Sequence, residues 1–187
     1  PAASPRYNIA PTQPVVAVRP GERAGREARM LRWGLVPFWA KDLAMGSRMI
    51  NARSETLAEK ASFKNAYKRR RCLILADGFY EWKGEKGHKQ PMFLTLPDEE
   101  PFAFAGLWES WDNKGRLSQP YRSCTILTRS ASPSVRRVHH RMPVILKPQV
   151  YSQWLNPANQ DMTDLKKIQK KQRLSEIIRY KVSRQVN

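Results

Sequence analysis

Cysteine, histidine and acidic residues are scarce in this chain. Among 187 residues there are two Cys, three His and 16 Asp+Glu. Cys72 and Cys124 sit in the apolar runs RCLILA and SCTILT, without a CxxC spacing. That excludes a disulfide-stapled secreted scaffold and argues against a structural zinc site, which needs four well-spaced ligands. Both cysteines read as small buried strand residues of an intracellular protein. No apolar run approaches the ~20 residues of a membrane-spanning helix, and no signal peptide is visible. Gly-rich phosphate loops, nucleophile elbows and metal-ligand helices are missing too, so phosphoryl transfer and serine-hydrolase chemistry have no foothold. The composition implies no metal or cofactor.

Positive charge and aromatic rings are abundant. Against the 16 acids stand 34 Lys+Arg, for a net charge of +18, and there are six each of Trp, Tyr and Phe. An apolar fraction of 41% over this length supports one ordinary domain with a real core. A surface so basic attracts polyanions, and nucleic acid is the first partner to consider.

Short apolar or β-branched runs bounded by Gly, Pro, Asp or Asn predict strands. They lie at Pro14–Val18, Met30–Trp33, Cys72–Ala76, Met92–Leu96, Phe102–Leu107, Ser123–Thr128 and Pro143–Leu146. FYEW continues as a strand after the Asp77-Gly78 turn, and Ile178, Tyr180 and Val182 alternate with polar neighbours near the end. Helices are fewer. Thr56 with Glu59 reads as a capping box opening a helix towards Phe63 and Tyr67. Ser132-Pro133 reads as N-cap and first turn of a short helix, and Pro148 starts another. Thr163–Ile177 reads as a basic helix whose Lys166, Lys167, Lys170 and Lys171 form a solvated face. The expected fold class is α+β: a single β-dominated domain over residues 1–187, with a curved, barrel-like, mostly antiparallel sheet and a few peripheral helices.

Three polar residues stand inside apolar or tightly turned segments. Asn51 lies in RMINARSET, Glu81 between Tyr80 and Trp82, and His139 in VHHRMP. A carboxylate flanked by aromatics risks desolvation, which raises its pKa and suits it to proton transfer near neutral pH. Each has a plainer reading: Asn51 satisfying a turn, Glu81 facing water on strand alternation, His139 capping a helix end. The adjacent histidines are not expected to form a metal pair, because neighbours on an extended chain point to opposite sides. In WGLVPFWAKD, the aromatics Trp33, Phe38 and Trp39 are interleaved with Gly and Pro, as in a loop presenting stacking surfaces to unpaired bases. Core packing is the competing reading, stronger for Trp33 than for Trp39.

In order and spacing, RYNIAP (6–11), RWGLVPFWA (32–40), INARSET (50–56), ADGFYEW (76–82) and HHRMPVIL (139–146) resemble the successive blocks of the SOS-response-associated peptidase family. The resemblance implies a sensor of abasic sites in single-stranded DNA. In that family a cysteine, made N-terminal by autocatalytic removal of the initiator Met, crosslinks to the ring-opened sugar as a thiazolidine. By resemblance, Asn51 positions the N-terminal residue, Glu81 shuttles protons and His139 assists opening of the deoxyribose. Arg53 and Arg141 contact phosphates, Trp39 stacks or wedges, and Arg6 and Pro11 lie along the DNA path. The family's Met-Cys-Gly-Arg-Phe opening is not among these residues, and neither is its usual C-terminal tail. The chain is therefore expected to be a truncated domain, with Pro1 unable to replace the cysteine. His140 stands where the family generally has Asp or Glu. The expected protein is a monomer free of membranes, intracellular, and cytoplasmic or nucleoid-associated in a bacterium. A non-covalent single-stranded DNA-binding module, or a protease or lyase using Glu81 and His139, are the other readings.

Overall fold

Strand β1 (Pro14–Pro20) buries Val15, Ala17 and Arg19 and leaves alternate residues less covered, the period of a sheet lining a core. It pairs antiparallel with β2 (Arg26–Trp33) and, on its other edge, with β4 (Arg71–Ala76). Strand β4 continues to β7 (Phe102–Trp111), and β7 to β8 (Tyr121–Ser130), both antiparallel. Parallel pairing of Arg32 with Ser123 and Trp33 with Cys124 then joins β2 to β8 and closes a five-stranded mixed barrel. This computed structural model describes residues 5–21, 25–85, 87–97, 99–172 and 176–186. The expected barrel-like, mostly antiparallel sheet is present.

Both faces of β4 and β7 are buried, which is why RCLILA and FAFAGL are continuous apolar runs rather than alternating ones. Cys72, Ile74, Phe102 and Phe104 join Val15, Leu31, Cys124 and Ile126 in one core cluster. Leu73, Ala103, Ala105 and Leu107 face a second cluster, with Tyr67, Trp154, Leu155 and Leu165. The helices α1 (Ala61–Arg69), α3 (Tyr151–Leu155) and α4 (Met162–Lys170) supply the latter. Both cysteine thiols are fully buried, and burial pushes their pKa values up. A second sheet orders β11 (Ile178–Lys181), β6 (Gln90–Thr95) and β5 (Phe79–Lys83).

Several local signals yield to packing. The expected strand Pro143–Leu146 is two: β9 (Arg141–Pro143) pairs with β8, and β10 (Ile145–Leu146) pairs with β7. Val144 bridges both, giving its N–H to Leu127 and its carbonyl to Ala105. The capping box is not realised. Thr56 and Glu59 close a tight turn around the buried Leu57, and the helix begins at Ala61 with no side-chain cap. The predicted helix Thr163–Ile177 is α4 alone. Asp161 caps it by accepting from the Thr163 N–H, and it ends at Lys170. Residues 173–175 lie outside the described residues, as does Pro1. Arg129 donates to the carbonyls of Gln169 and Gln172, placing a cation at the C-terminal end of α4. Helix α2 (Pro133–Arg136) begins where Ser132-Pro133 predicts, although Ser132 makes no side-chain cap bond.

Arg71 fastens the helical layer to the barrel. Its buried guanidinium donates to the carbonyls of Tyr67 and Lys68 at the end of α1, and to those of Trp154, Asn156 and Asn159 around the end of α3. Burial draws its pKa down to about 10, so it stays protonated at neutral pH. Replacing Arg71 with Met removes the donor from all five carbonyls, of which those of Tyr67 and Trp154 belong to buried residues. A loss of about 3 kcal/mol or more is expected from breaking such a buried charged network. Urea unfolding measures it, with the midpoint moving down at unchanged slope.

Candidate active site

Strand β5 carries Glu81 because the chain enters it through a tight approach. A Cβ on Gly78 would lie 2.0 Å from the Phe93 ring, so only glycine lets the Asp77-Gly78 corner pass over β6. Opposite residues of an antiparallel pair share a face. Glu81 pairs with Met92 and Phe79 with Leu94, both buried, and Phe79 stacks edge-on against Phe104 at 5.9 Å. Glu81 therefore points towards the core side, not to water on strand alternation. Burial raises its pKa, while the nearby His139, the Trp82 N–H and Lys89 pull it back down.

His139 follows α2, in the bend before β9. Its Nδ1 lies 3.4 Å from Glu81 Oε1. The same nitrogen is 3.3 Å from the Arg141 N–H, which donates to it, and 3.2 Å from the Arg141 carbonyl. One of these main-chain contacts needs a bare Nδ1 and the other a protonated one. The ring can thus change tautomer without turning, while Nε2 makes no hydrogen bond among the described residues. The two histidines do not diverge as on an extended chain. The backbone bends at His140, and the rings lie 4.4 Å apart at 48°. Among the described residues, no three His, Cys, Asp or Glu side chains stand close enough to hold a metal ion.

Strand β8 organises the rest. Strand β3 (Asn51–Arg53) runs parallel to it on one edge, and β9 antiparallel on the other, so Arg53, Thr128 and Pro143 stand level. The flanks of β8 are about 10 Å apart at ~4.8 Å per strand. Ala52 is buried, so Asn51 and Arg53 share the opposite, exposed face. Neither side chain makes a hydrogen bond among the described residues. Arg141 reaches over Thr128 to Glu55: Nη1 and Nη2 hold the two carboxylate oxygens at 2.7 and 2.8 Å, and Nη2 also donates to the Thr128 carbonyl at 2.9 Å. That bidentate hydrogen bonding holds the Glu55 carboxyl below its usual range. Glu55 was not singled out from sequence. Its one signal is its place in the INARSET block.

Arg6 is engaged as well, with Gln13 Oε1 at 3.1 Å and the Pro14 carbonyl. The exposed Pro11 lies in the Ala10–Gln13 turn, whose Thr12 N–H reaches the Trp33 carbonyl at 2.8 Å. The Tyr80 hydroxyl, next to Glu81, donates to the Tyr7 carbonyl at 2.7 Å and fastens this strap to β5. On the aromatic loop, Trp33 is half-buried and donates to the Ile50 carbonyl, whereas Phe38 and Trp39 are 53% and 45% exposed. Gly34 sets the loop. Its φ is +134°, and a Cβ there would meet the Gly46 carbonyl oxygen at 2.7 Å.

A family model described as SOS response associated peptidase (SRAP) matches residues 1–187. The chain belongs to the SRAP family. Among SRAP relatives, the Bacillus subtilis abasic site processing protein YoqW is 41% identical over 184 residues, covering 98% of this chain and 81% of that protein. The chicken abasic site processing protein HMCES is 36% identical and is matched over 54% of its length. A crystal structure of a Bordetella bronchiseptica protein superposes with a TM-score of 0.81 at 29% identity, covering 97% of this chain and 90% of that one. One from Bacteroides thetaiotaomicron gives 0.82 at 24% identity and speaks to the fold alone. No helix of this SRAP domain, among the described residues, is long and apolar enough to cross a membrane.

The raised pKa of Glu81 has a stability consequence. Between its unfolded and folded pKa values the native state binds more protons, so this group's contribution falls as pH rises through that window. Glu81→Gln is therefore expected to raise the thermal midpoint at neutral pH, with the gain vanishing below the ordinary carboxyl range. Calorimetry from pH 4 to 8, roughly spanning carboxyl titration, checks this; a gain that is constant with pH contradicts it.

Proposed function

We propose that this protein processes abasic sites in single-stranded DNA by covalent capture of the lesion. The observation that supports it most is the Glu81–His139 pair: a carboxylate made more basic by burial, beside an imidazole with one ring nitrogen open. The basic surface, the exposed Phe38 and Trp39, and relatives named abasic site processing proteins favour the same reading.

On this reading His139 helps open the deoxyribose by handling the proton on its ring oxygen, which exposes the aldehyde. An N-terminal cysteine, supplied by a Met-Cys start after removal of Met, attacks through its α-amine. With a pKa of ~7.7–8.0, that amine is substantially neutral at cellular pH, unlike a lysine. Glu81 protonates the carbinolamine hydroxyl, which leaves as water and gives the imine. The thiol then adds across C=N, its proton passing to nitrogen, and the thiazolidine closes without any redox change. Ring closure is intramolecular and gains from proximity. Tyr80 fastens the strap carrying Tyr7 to β5, the strand that bears Glu81. Asn51 holds the N-terminal residue, Arg53 and Arg141 hold phosphates, Arg6 and Pro11 border the strand, and Trp39 stacks on a base. The same pair serves removal of the initiator Met. The second reading, a non-covalent single-stranded DNA-binding module, rests on the net charge of +18 and the exposed Phe38 and Trp39.

A protein beginning Met-Cys, incubated with an abasic single strand, should give an adduct that survives denaturation. Glu81→Gln should slow its formation by roughly 10²-fold or more, and His139→Ala and Asn51→Ala should also slow it. No adduct, with equal affinity for intact and abasic strands, would establish the non-covalent reading instead.

A further inference from the structure

We propose that the cleft between α4 and the Ser130–Pro133 segment seats the single strand flanking the lesion. The inference rests on the abasic-site reading and extends it. The cleft measures about 760 Å³ and is lined by Ser54, Glu55, Arg129, Ser132, Lys166 and Lys170 among others. That is within the roughly 300–1,000 Å³ of ligand-binding clefts.

The lysines of α4 are not equivalent. Lys166 and Lys170 are one helical turn apart and line the cleft; Lys167 and Lys171 do not. Arg129 adds a third cation at the wall, fixed by the carbonyls of Gln169 in α4 and Gln172 just beyond it. The lining's only carboxylate, Glu55, is already held by Arg141, so it does not cancel this charge. Serine hydroxyls beside the cations suit phosphate oxygens, and Ala131 with Pro133 offers an apolar floor to a sugar or base. The cleft also adjoins the reacting pair. Glu55 grips Arg141, whose N–H donates to His139 Nδ1, and the Ala131 N–H donates to the His140 carbonyl at 3.0 Å. A strand leaving the lesion beside His139 enters it directly. An acidic peptide would match the charge, but not this continuity with the site.

The test compares Lys166→Glu/Lys170→Glu with Lys167→Glu/Lys171→Glu, an equal charge change on the same helix, both in the protein beginning Met-Cys. Affinity for a 20-nucleotide abasic strand is measured against salt, and adduct formation is followed on that strand and on an abasic trinucleotide. The cleft variant should lose tenfold or more in affinity for the long strand. Its log–log salt slope should shrink by about 1.4, two phosphate contacts at ~0.7 each, while the trinucleotide reacts at the wild-type rate. The control variant should change far less. Equal losses in both variants, or none in the cleft variant, overturn the assignment. So does retained strand affinity with lost binding of a poly-glutamate peptide. A wild type that binds strands through this cleft yet forms no adduct overturns the covalent reading and leaves the cleft assignment standing.

Discussion

Everything in the candidate site hangs on the two edges of β8. One edge pairs in parallel with β2 and then β3; the other pairs antiparallel with β7 and then β9. The first pairing on each edge closes the barrel, and the second, further along the strand, carries Asn51 and Arg53 on one side and Arg141 on the other. A strand whose backbone groups are all engaged cannot slip by one residue without turning its buried set outward. Ser123, Cys124, Thr125, Ile126 and Leu127 are all buried, so the register is held from both faces. The separation of β3 from β9 is therefore fixed by the same hydrogen bonds that close the core.

Within this rigid frame the polar residues are treated in two ways. Arg71 is buried but surrounded by carbonyl oxygens, and it joins two layers. Glu81 is buried enough for desolvation to outweigh the attraction of His139 and Lys89, so its ionised form is held at a cost to the fold. A carboxylate left short of compensation, facing an imidazole that can carry its proton on either nitrogen, is what proton transfer requires and what stability alone would select against.

The fold was largely legible because its strands bury both faces or alternate, leaving runs such as RCLILA and SCTILT that only strands of this length explain. Strand β3 was not legible. Its three residues, Asn-Ala-Arg, have no strand propensity, and they are extended because the β8 edge accepts them. The capping box at Thr56 failed for a similar reason, since burying Leu57 outweighed a local hydrogen-bond pattern. In the site, Glu81 and His139 could be named individually from their surroundings. Their meeting, 58 positions apart in sequence, could not be derived from either. Glu55 was harder still: its significance lies wholly in a partner brought to it across Thr128.

That partner gives the site an asymmetry. Arg53 is exposed and makes no hydrogen bond among the described residues, whereas Arg141 already has a bidentate anion in Glu55. A guanidinium fork matches carboxylate and phosphate alike. On the proposed reading, a strand arriving at Arg141 must share the fork with Glu55 or displace it, and so gains less there than its charge suggests. The gain is geometric instead. Arg141 contacts His139 Nδ1 through its own N–H and carbonyl, so fixing its side chain at Glu55 and Thr128 also fixes the main chain beneath the imidazole. Full affinity for phosphate at this position would require a looser arginine, and a looser arginine would leave the His139–Glu81 distance unfixed. On the proposed reading, Glu55 thus trades phosphate affinity for the alignment of the Glu81–His139 pair.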